Sequence, residues 1–168
     1  MKPEIRPATP RDICFVAANI REQDKREIEA SAVLSSMTEA AMLSWYGSQG
    51  FCWTVWLNGQ PQAAFGVGYG SALQPHIRSA WAWGTDRFKR CVPAISRFCV
   101  KEWPSRLIGE GVTRVEVRSL QDHDIAHRWL AGLRAKREAV MENYGVHGET
   151  FELWAWLAKD WQDGTGTH

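Results

Sequence analysis

A β-hairpin near the middle of the chain is the local feature that most constrains the fold. The stretch FCWTVWL, residues 51–57, is rich in aromatic and β-branched residues, which favour strands. Asn58-Gly59 follows it, a dipeptide typical of two-residue hairpin turns, and PQAAFGVG continues as the returning strand. The sequence therefore predicts an antiparallel strand pair around which the rest of the domain is built.

Strand and helix patterns flank this hairpin on both sides. Apolar spacing and capping residues predict a strand and three helices before it, and a strand, helix, strand, helix and two closing strands after it. The predicted ranges are 4–6, a helix capped by Thr9, 21–30, 38–46, 79–83, 92–103, 112–117, a helix from Asp124, 138–142 and 151–157. This order predicts an α/β (α+β) fold with one central, mixed, mostly antiparallel twisted sheet flanked by helices.

The length and composition fit one domain. The 168 residues are 45% hydrophobic and 23% charged, which are ordinary globular values. We expect residues 1–159 to form this domain and the polar, glycine-rich residues 160–168 to form a flexible tail. The net charge of +1 and the absence of a long basic block do not indicate nucleic-acid binding. No apolar run approaches the roughly 20 residues of a membrane helix, and the start has no signal-peptide core.

Tryptophan and cysteine carry the remaining compositional signal. Ten tryptophans are an excess for a chain of this length, and their large rings serve both protein cores and protein interfaces. Core packing and contact with a partner therefore both stay open. The four cysteines contain no CxxC pair, and we interpret them as small buried thiols.

The two ends of the chain resemble GNAT-type N-acyltransferases. EIRPATPRDI, residues 4–13, is similar to the first strand and helix of that family, and AHRWLAGLRAKREAVMENYG, residues 126–145, resembles its closing helix and strand. The layout is also similar to phage-encoded relatives, among them internal virion proteins of short-tailed bacteriophages. This second resemblance is carried by VAANIREQDKREIEA, WAWGTD, HRWLAGL and ENYGVHGETFELWAW. It implies a single GNAT-like domain over nearly the whole chain.

The resemblance also locates a cofactor loop. GNAT enzymes bind the pyrophosphate of acyl-CoA through Gln/Arg-x-x-Gly-x-Gly/Ala before the central helix, where glycines let backbone N–H groups approach the phosphates. The corresponding residues 84–93 read GTDRFKRCVP, without the loop glycines and with Asp86 and Pro93 as unfavourable residues. Arg87, Lys89 and Arg90 could contact phosphate through their side chains or could form a solvated helix entrance.

The sequence offers only weak catalytic candidates. Many GNAT enzymes protonate the departing thiolate with a tyrosine on the closing helix, where this chain has HRWL at residues 127–130. Glu116 and His127 are the candidate bases. Glu116 is alternatively the exposed member of the alternating strand VTRVEV.

Two further patterns do not lead to a site. His123 and His127, four residues apart, could share a metal ion, but no third ligand can be named, so no metal site is predicted. Capping or surface hydrogen bonding is the alternative use of both residues. Gly66-x-Gly68-x-Gly70 leaves a strand for a loop, so we expect a bulge or bend rather than a dinucleotide site.

Two main functional hypotheses remain. The first is a bacteriophage virion-associated or structural protein that uses a degenerate acyltransferase fold for assembly or genome delivery. Its partners would be other virion proteins or a host protein, or a second copy of the chain, and it would need no cofactor. It would reside in the virion, or in the host cytoplasm when expressed.

The second hypothesis is an active acetyl-CoA-dependent N-acetyltransferase that modifies a host or phage amine. A third, a small inhibitor of a host factor, also stays open. Enzymatic activity is left uncertain, with a non-enzyme favoured. An open V-shaped cleft between the fourth and fifth strands would support catalysis, whereas a cleft filled by Trp81, Trp83 or Phe88 would exclude it.

Overall fold

A seven-stranded mixed sheet forms the centre of the protein. The computed structural model describes residues 2–163. Within them the strand order is β1-β2-β3-β4-β5-β7-β6, and β4 and β5 are the only parallel neighbours. The strands are β1 (Glu4–Pro7), β2 (Cys52–Leu57), β3 (Gln60–Tyr69), β4 (Ile77–Gly84), β5 (Arg114–Leu120), β6 (Lys136–Met141) and β7 (Phe151–Leu157). The prediction of one domain with a mixed, mostly antiparallel sheet is confirmed.

Helices cover both faces of the sheet. They are α1 (Pro10–Ala18), α2 (Glu22–Ser31), α3 (Met37–Gly47), α4 (Phe88–Gly109), α5 (Asp124–Gly132) and the short α6 (Ala158–Asp163). Because side chains alternate along a strand, Phe65 and Val67 of β3 pack in the core with α4 and α5. Ala64 and Trp83 pack on the opposite face with α1 and α3.

The hairpin joins β2 and β3 as the sequence predicts. Asn58 and Gly59 have φ angles of 53° and 79°, and positive φ at both central residues is the requirement of a type I′ turn. The pairing runs from Leu57↔Gln60 to Cys52↔Gly66, with one register shift between Val55 and Trp56.

Nine of the ten tryptophans belong to the hydrophobic cores, and the exception, Trp56, packs against the Arg6 guanidinium. All ten lie in the described residues and none is exposed. Five are buried: Trp53, Trp83, Trp103, Trp154 and Trp156. The prediction of core packing is therefore confirmed.

The cysteines also follow the prediction in three of four cases. Cys52, Cys91 and Cys99 are buried, whereas Cys14 is half-buried. Burial raises the pKa of Cys52 to about 12 and that of Cys91 to about 11, so both thiols stay protonated and unreactive near neutral pH.

The predicted start of the central helix was wrong by four residues. α4 begins at Phe88 rather than near residue 92 and runs to Gly109 with both Pro93 and Pro104 inside it. Thr85 determines this start, because its hydroxyl accepts from the Arg87 N–H at 3.2 Å and its carbonyl accepts from the Phe88 N–H at 2.9 Å. Pro93 consequently lies beyond the first turn, and its missing N–H does not affect the loop before the helix.

Of the three glycines predicted to mark a bulge or bend, Gly70 lies in a bend directly after β3, whereas Gly66 and Gly68 do not mark one. Gly66 and Gly68 are regularly paired with Trp81 and Ser79 of β4. A Cβ atom on Gly66 would lie 2.6 Å from the carbonyl oxygen of Phe51. The glycines are required because the chain between α3 and β2 packs directly on the β3 backbone.

Replacing Gly66 by alanine should therefore lower the free energy of unfolding by about 1–3 kcal/mol, because a backbone oxygen cannot move aside for the new methyl group. Denaturant unfolding measures this change. Gly70→Ala is the matched control, since a Cβ there meets no atom within 4 Å, and we expect a change within about 0.5 kcal/mol. Equal effects of the two substitutions would contradict the steric argument.

The C-terminal segment from residue 160, predicted as a flexible tail, begins inside α6. Trp161 packs against the main core, and the Asp160 carboxylate accepts from Lys136 Nζ at 3.1 Å. Residues 164–168 lie outside the described residues. None of the helices between residues 2 and 163 combines the length and apolarity needed to cross a bilayer.

Candidate functional site

An open cleft separates the C-terminal halves of β4 and β5. The parallel pairing covers only Ile77↔Arg114, Arg78↔Val115 and Ser79↔Glu116, although both strands continue for several residues. β4 stays paired with β3 up to Gly84, and β5 stays paired with β7 up to Leu120. The two strands therefore diverge beyond Ser79 and Glu116, the last paired residues. A cavity of about 260 Å³ lies between them.

The cavity has mostly apolar walls. Its apolar lining includes Ala80, Ala82, Val117, Ala126 and Leu130. Trp81, Trp83 and Phe88 also line the cavity and do not fill it, so the condition that would exclude catalysis is not met. The cleft is suited to an extended, largely apolar ligand segment.

Helix α2 crosses the open end of the cleft. In the β3–β4 ladder the N–H and C=O of Gly84 point towards the β5 side, because alternate residues of an antiparallel strand bond to opposite neighbours. Both groups are used by the α2 region: Asp24 Oδ2 accepts from the Gly84 N–H at 2.8 Å, and the Gly84 carbonyl accepts from the Arg21 N–H at 2.9 Å. α2 is thereby fixed to the end of β4.

A second carboxylate fixes α2 to the end of β5. Glu27 Oε2 accepts from the Leu120 N–H at 3.1 Å and from the Ser119 hydroxyl at 3.2 Å. The same oxygen lies 2.9 Å from Nδ1 of His123, the residue that precedes α5. Asp24 and Glu27 are one helical turn apart, so α2 bridges the two strand ends and closes this side of the cleft.

Asp24 is a buried charge with one main partner. Its carboxylate receives two hydrogen bonds from the Arg21 guanidinium, at 2.7 and 2.8 Å, while only 5% of the residue is exposed. Burial raises the pKa of Asp24 above its usual value, against the lowering influence of Arg21 and of the Gly84 N–H. The Arg21 guanidinium in turn lies 4.2 Å from the centre of the Phe88 ring.

The β4 edge remains open at Ala82. The alternation that turns the Gly84 groups towards β5 does the same for Ala82, and no β5 residue pairs with Ala82. Its N–H and C=O therefore face the cleft, where an extended ligand with amide groups can bind them as an added strand would.

The predicted cofactor residues lie around the first turn of α4, and one of them reaches the cleft. Arg87, Lys89 and Arg90 are all exposed, but only Lys89 lines the cavity. Among the side chains that the structure describes, those of residues 2–161, none of the three forms an ion pair. A helix N-terminus favours anions, but the Arg87 and Phe88 N–H groups are already bonded to Thr85. Side-chain cations are therefore the available phosphate ligands.

Glu116 lies outside the cleft. Its carboxylate accepts from Arg114 Nε at 2.6 Å and from Arg118 at 2.8 Å, and it does not line the cavity. Both carboxylate oxygens are engaged by guanidinium groups away from the cleft, which argues against the predicted role of Glu116 as a base.

His127 lies on a different side of α5 from the cleft. Its ring stacks on Trp154 at 5.5 Å, and Nδ1 lies 3.4 Å from Glu152. Since His123 contacts Glu27 instead, the two histidines do not face one another. In the described part of the chain, no three His, Cys, Asp or Glu side chains are grouped as a metal site would require.

Solved structures with the same architecture are acetyltransferases. The N-acetyltransferase from Staphylococcus aureus Mu50 superposes with a TM-score of 0.73 at 9% identity, covering 94% of this chain and 99% of that protein. The acetyltransferase yncA from Salmonella typhimurium, solved with its cofactor acetyl-CoA, gives 0.69 at 12% identity, covering 94% and 95%. A GNAT superfamily phosphinothricin acetyltransferase from Sinorhizobium meliloti, in complex with AcCoA, gives 0.71 at 11% identity, covering 94% and 89%.

These comparisons establish that the chain has the GNAT fold. At such low identity they leave the activity open, because one fold supports many functions. No protein-family model matches the sequence, and no curated protein matches it significantly. None of the three structures is described as phage-encoded or as part of a virion.

Proposed function

We propose that this protein binds acyl-CoA in the cleft between β4 and β5 and transfers the acyl group to a primary amine. The observations that carry the proposal are the open β4 edge at Ala82, the apolar cavity beside it, and three exposed cations at the start of α4 that form no ion pair among the described side chains. Acyl-CoA has the matching order of parts: an acyl thioester, a pantetheine arm with two amides, and a phosphate-bearing nucleotide.

The volume of the cavity is large enough to enclose part of an acyl-CoA molecule. The cavity of about 260 Å³ is slightly smaller than the roughly 300–1,000 Å³ typical of small-molecule pockets. It suits the thioester end and part of the pantetheine arm. The nucleotide would then lie outside, beside Arg87, Lys89 and Arg90.

The chain's own residues would position the donor and exclude water. The Ala82 main chain would orient the pantetheine amides, and α2, tied to Gly84 and Leu120, would shield the reacting end. The bound donor supplies an activated thioester carbonyl. Holding donor and amine together in a closed site converts a bimolecular reaction into an effectively unimolecular one.

The cations at the start of α4 allow a direct test. Replacing Arg87, Lys89 and Arg90 together by alanine should weaken CoA binding at least about tenfold, because charge-assisted hydrogen bonds contribute about 1.5–3 kcal/mol each. Titration calorimetry measures the affinity. The control replaces Arg97 and Lys101, which are exposed further along α4, and should leave the affinity within about twofold.

A melting experiment gives the outcome that would overturn the proposal. A ligand that binds only the native state must raise the melting temperature. No shift in melting temperature at millimolar CoA or acetyl-CoA, together with no heat of binding, would count against acyl-CoA as the ligand.

The phage-scaffold role predicted from the resemblance gains no support from the cleft or from the solved structures, which favour the acyltransferase. Its own test is whether the protein occurs in purified phage particles.

A further inference from the structure

We infer that His123, oriented by Glu27, is the residue that moves the proton in acyl transfer, a role that rests on the proposed function. His123 lines the cavity and its side chain is only 11% exposed. Its Nδ1 lies 2.9 Å from Glu27 Oε2, and no residue of the described chain hydrogen-bonds its Nε2. A largely enclosed imidazole thus has one nitrogen bound to Glu27 and one nitrogen available at the cleft.

Glu27 is held in the geometry that this role requires. Its Oε2 is fixed by the Leu120 N–H and the Ser119 hydroxyl, two groups at the end of β5. A carboxylate beside Nδ1 keeps the proton on that nitrogen, so Nε2 carries the lone pair. Glu27 is accordingly a positioning residue, and His123 is the group that can reach a substrate.

The other charged groups at the cleft are engaged or have unsuitable chemistry. Asp24 is bound by Arg21 and by the Gly84 N–H. Arg118 donates to Glu116, and Lys89 is a cation at the outer edge. Both carboxylate oxygens of Asp24 are taken by Arg21 and the Gly84 N–H, and a guanidinium is not a base near neutral pH. The free Nε2 of an imidazole, by contrast, can exchange a proton.

The charged neighbours of His123 come from α2 and from its own loop. They are Glu27, Arg26 with its ion-pair partner Asp122, and Asp124 at the start of α5. Arg26 and Asp122 largely neutralise one another, so Glu27 is the charge that acts most directly on the ring.

The proton steps balance without any additional reactant. As the amine nitrogen forms its bond to the thioester carbonyl carbon, Nε2 of His123 accepts a proton from that nitrogen. When the carbon–sulfur bond breaks, the imidazolium returns the proton to the departing sulfur. The products are an amide and the free thiol of CoA, and His123 is regenerated.

Two variants test this assignment. His123→Asn keeps a donor near Glu27 but removes the transferable proton, so kcat should fall at least 100-fold while the calorimetric Kd for acetyl-CoA changes less than about threefold. Glu27→Gln should give a smaller loss and move the acidic limb of the kcat pH profile. That limb should disappear in His123→Asn. His127→Asn and Glu116→Gln, both outside the cleft, are controls and should keep kcat within about twofold.

The assay follows release of the CoA thiol from acetyl-CoA, with spermidine, free amino acids and a lysine-containing peptide as probe amines. A His123→Asn variant that keeps kcat within threefold would overturn the inference. Wild-type protein that binds acetyl-CoA but transfers the acetyl group neither to these amines nor to water would also overturn the inference. The proposed binding site would then still stand. Absence of acetyl-CoA binding would instead refute the proposed function itself.

Discussion

Replacing Asp24 by alanine is expected to lower the free energy of unfolding by about 3–5 kcal/mol, because one partner of a buried ion pair is removed. Arg21 would lose the carboxylate that receives its two hydrogen bonds, and the buried Gly84 N–H would lose its acceptor. An unpaired buried polar group costs its full desolvation free energy. Urea unfolding at pH 7 measures the change.

Glu22 provides the matched control on the same helix. It lies in the first turn of α2, is exposed, and its replacement by alanine should change the free energy of unfolding by no more than about 0.5 kcal/mol. Equal small effects for Asp24→Ala and Glu22→Ala would mean that the Arg21–Asp24 pair does not hold α2 to β4. The bridging role of α2 at the cleft would then have to be abandoned.

The location of α2 explains why the sequence did not reveal the site. The segment is rich in charge with Ile28 as its only large apolar residue, which is the pattern of a solvated helix. Asp24 and Glu27 face inward because the ends of β4 and β5 present main-chain N–H groups that need acceptors. Those N–H groups come from strands far along the chain, so only the tertiary structure brings them together. The i, i+3 spacing of the two carboxylates was the one local signal.

Local patterns predicted the sheet more successfully. The hairpin at Asn58-Gly59 depends on two adjacent residues and on strand composition, and β7 was predicted with the bounds that the structure has. The start of α4 was missed because the Thr85 hydroxyl bridges to Gln62 of β3 at 2.6 Å as well as capping the helix entrance. That bridge is a tertiary contact and leaves no periodic trace in the sequence.

For the catalytic candidates, the sequence pattern predicts the face of the strand but not the surroundings of the side chain. Alternation in β5 correctly separates Glu116 from its apolar neighbours Val115 and Val117, yet it does not indicate which groups surround the carboxylate. In the structure these are Arg114 and Arg118 of the same strand. By residue type His127 is a candidate base, whereas for His123 the sequence suggests only metal binding, capping or surface hydrogen bonding. The contact with Glu27 distinguishes the two.

Phe65→Ala is expected to have an effect as large as that of Asp24→Ala, with a loss of about 3–5 kcal/mol in the free energy of unfolding. Phe65 is fully buried in β3 and also lines the cleft. Its ring lies 5.6 Å from Trp53 and 5.6 Å from Phe98 between ring centres. Truncation removes these aromatic contacts and leaves a cavity that a paired central strand cannot close by moving.

Phe65→Leu and Tyr46→Ala separate packing from a general effect of losing an aromatic ring. Leucine refills much of the volume, so its cost should be clearly smaller than that of alanine. Tyr46 is 68% exposed on α3, and its truncation should cost no more than about 0.5 kcal/mol. Guanidinium unfolding of the three variants measures the differences. If Phe65→Ala were as mild as Tyr46→Ala, the packing beneath the cleft would be too loose to hold β3 and β4 in register, and the open edge at Ala82 would lose its structural basis as a binding surface.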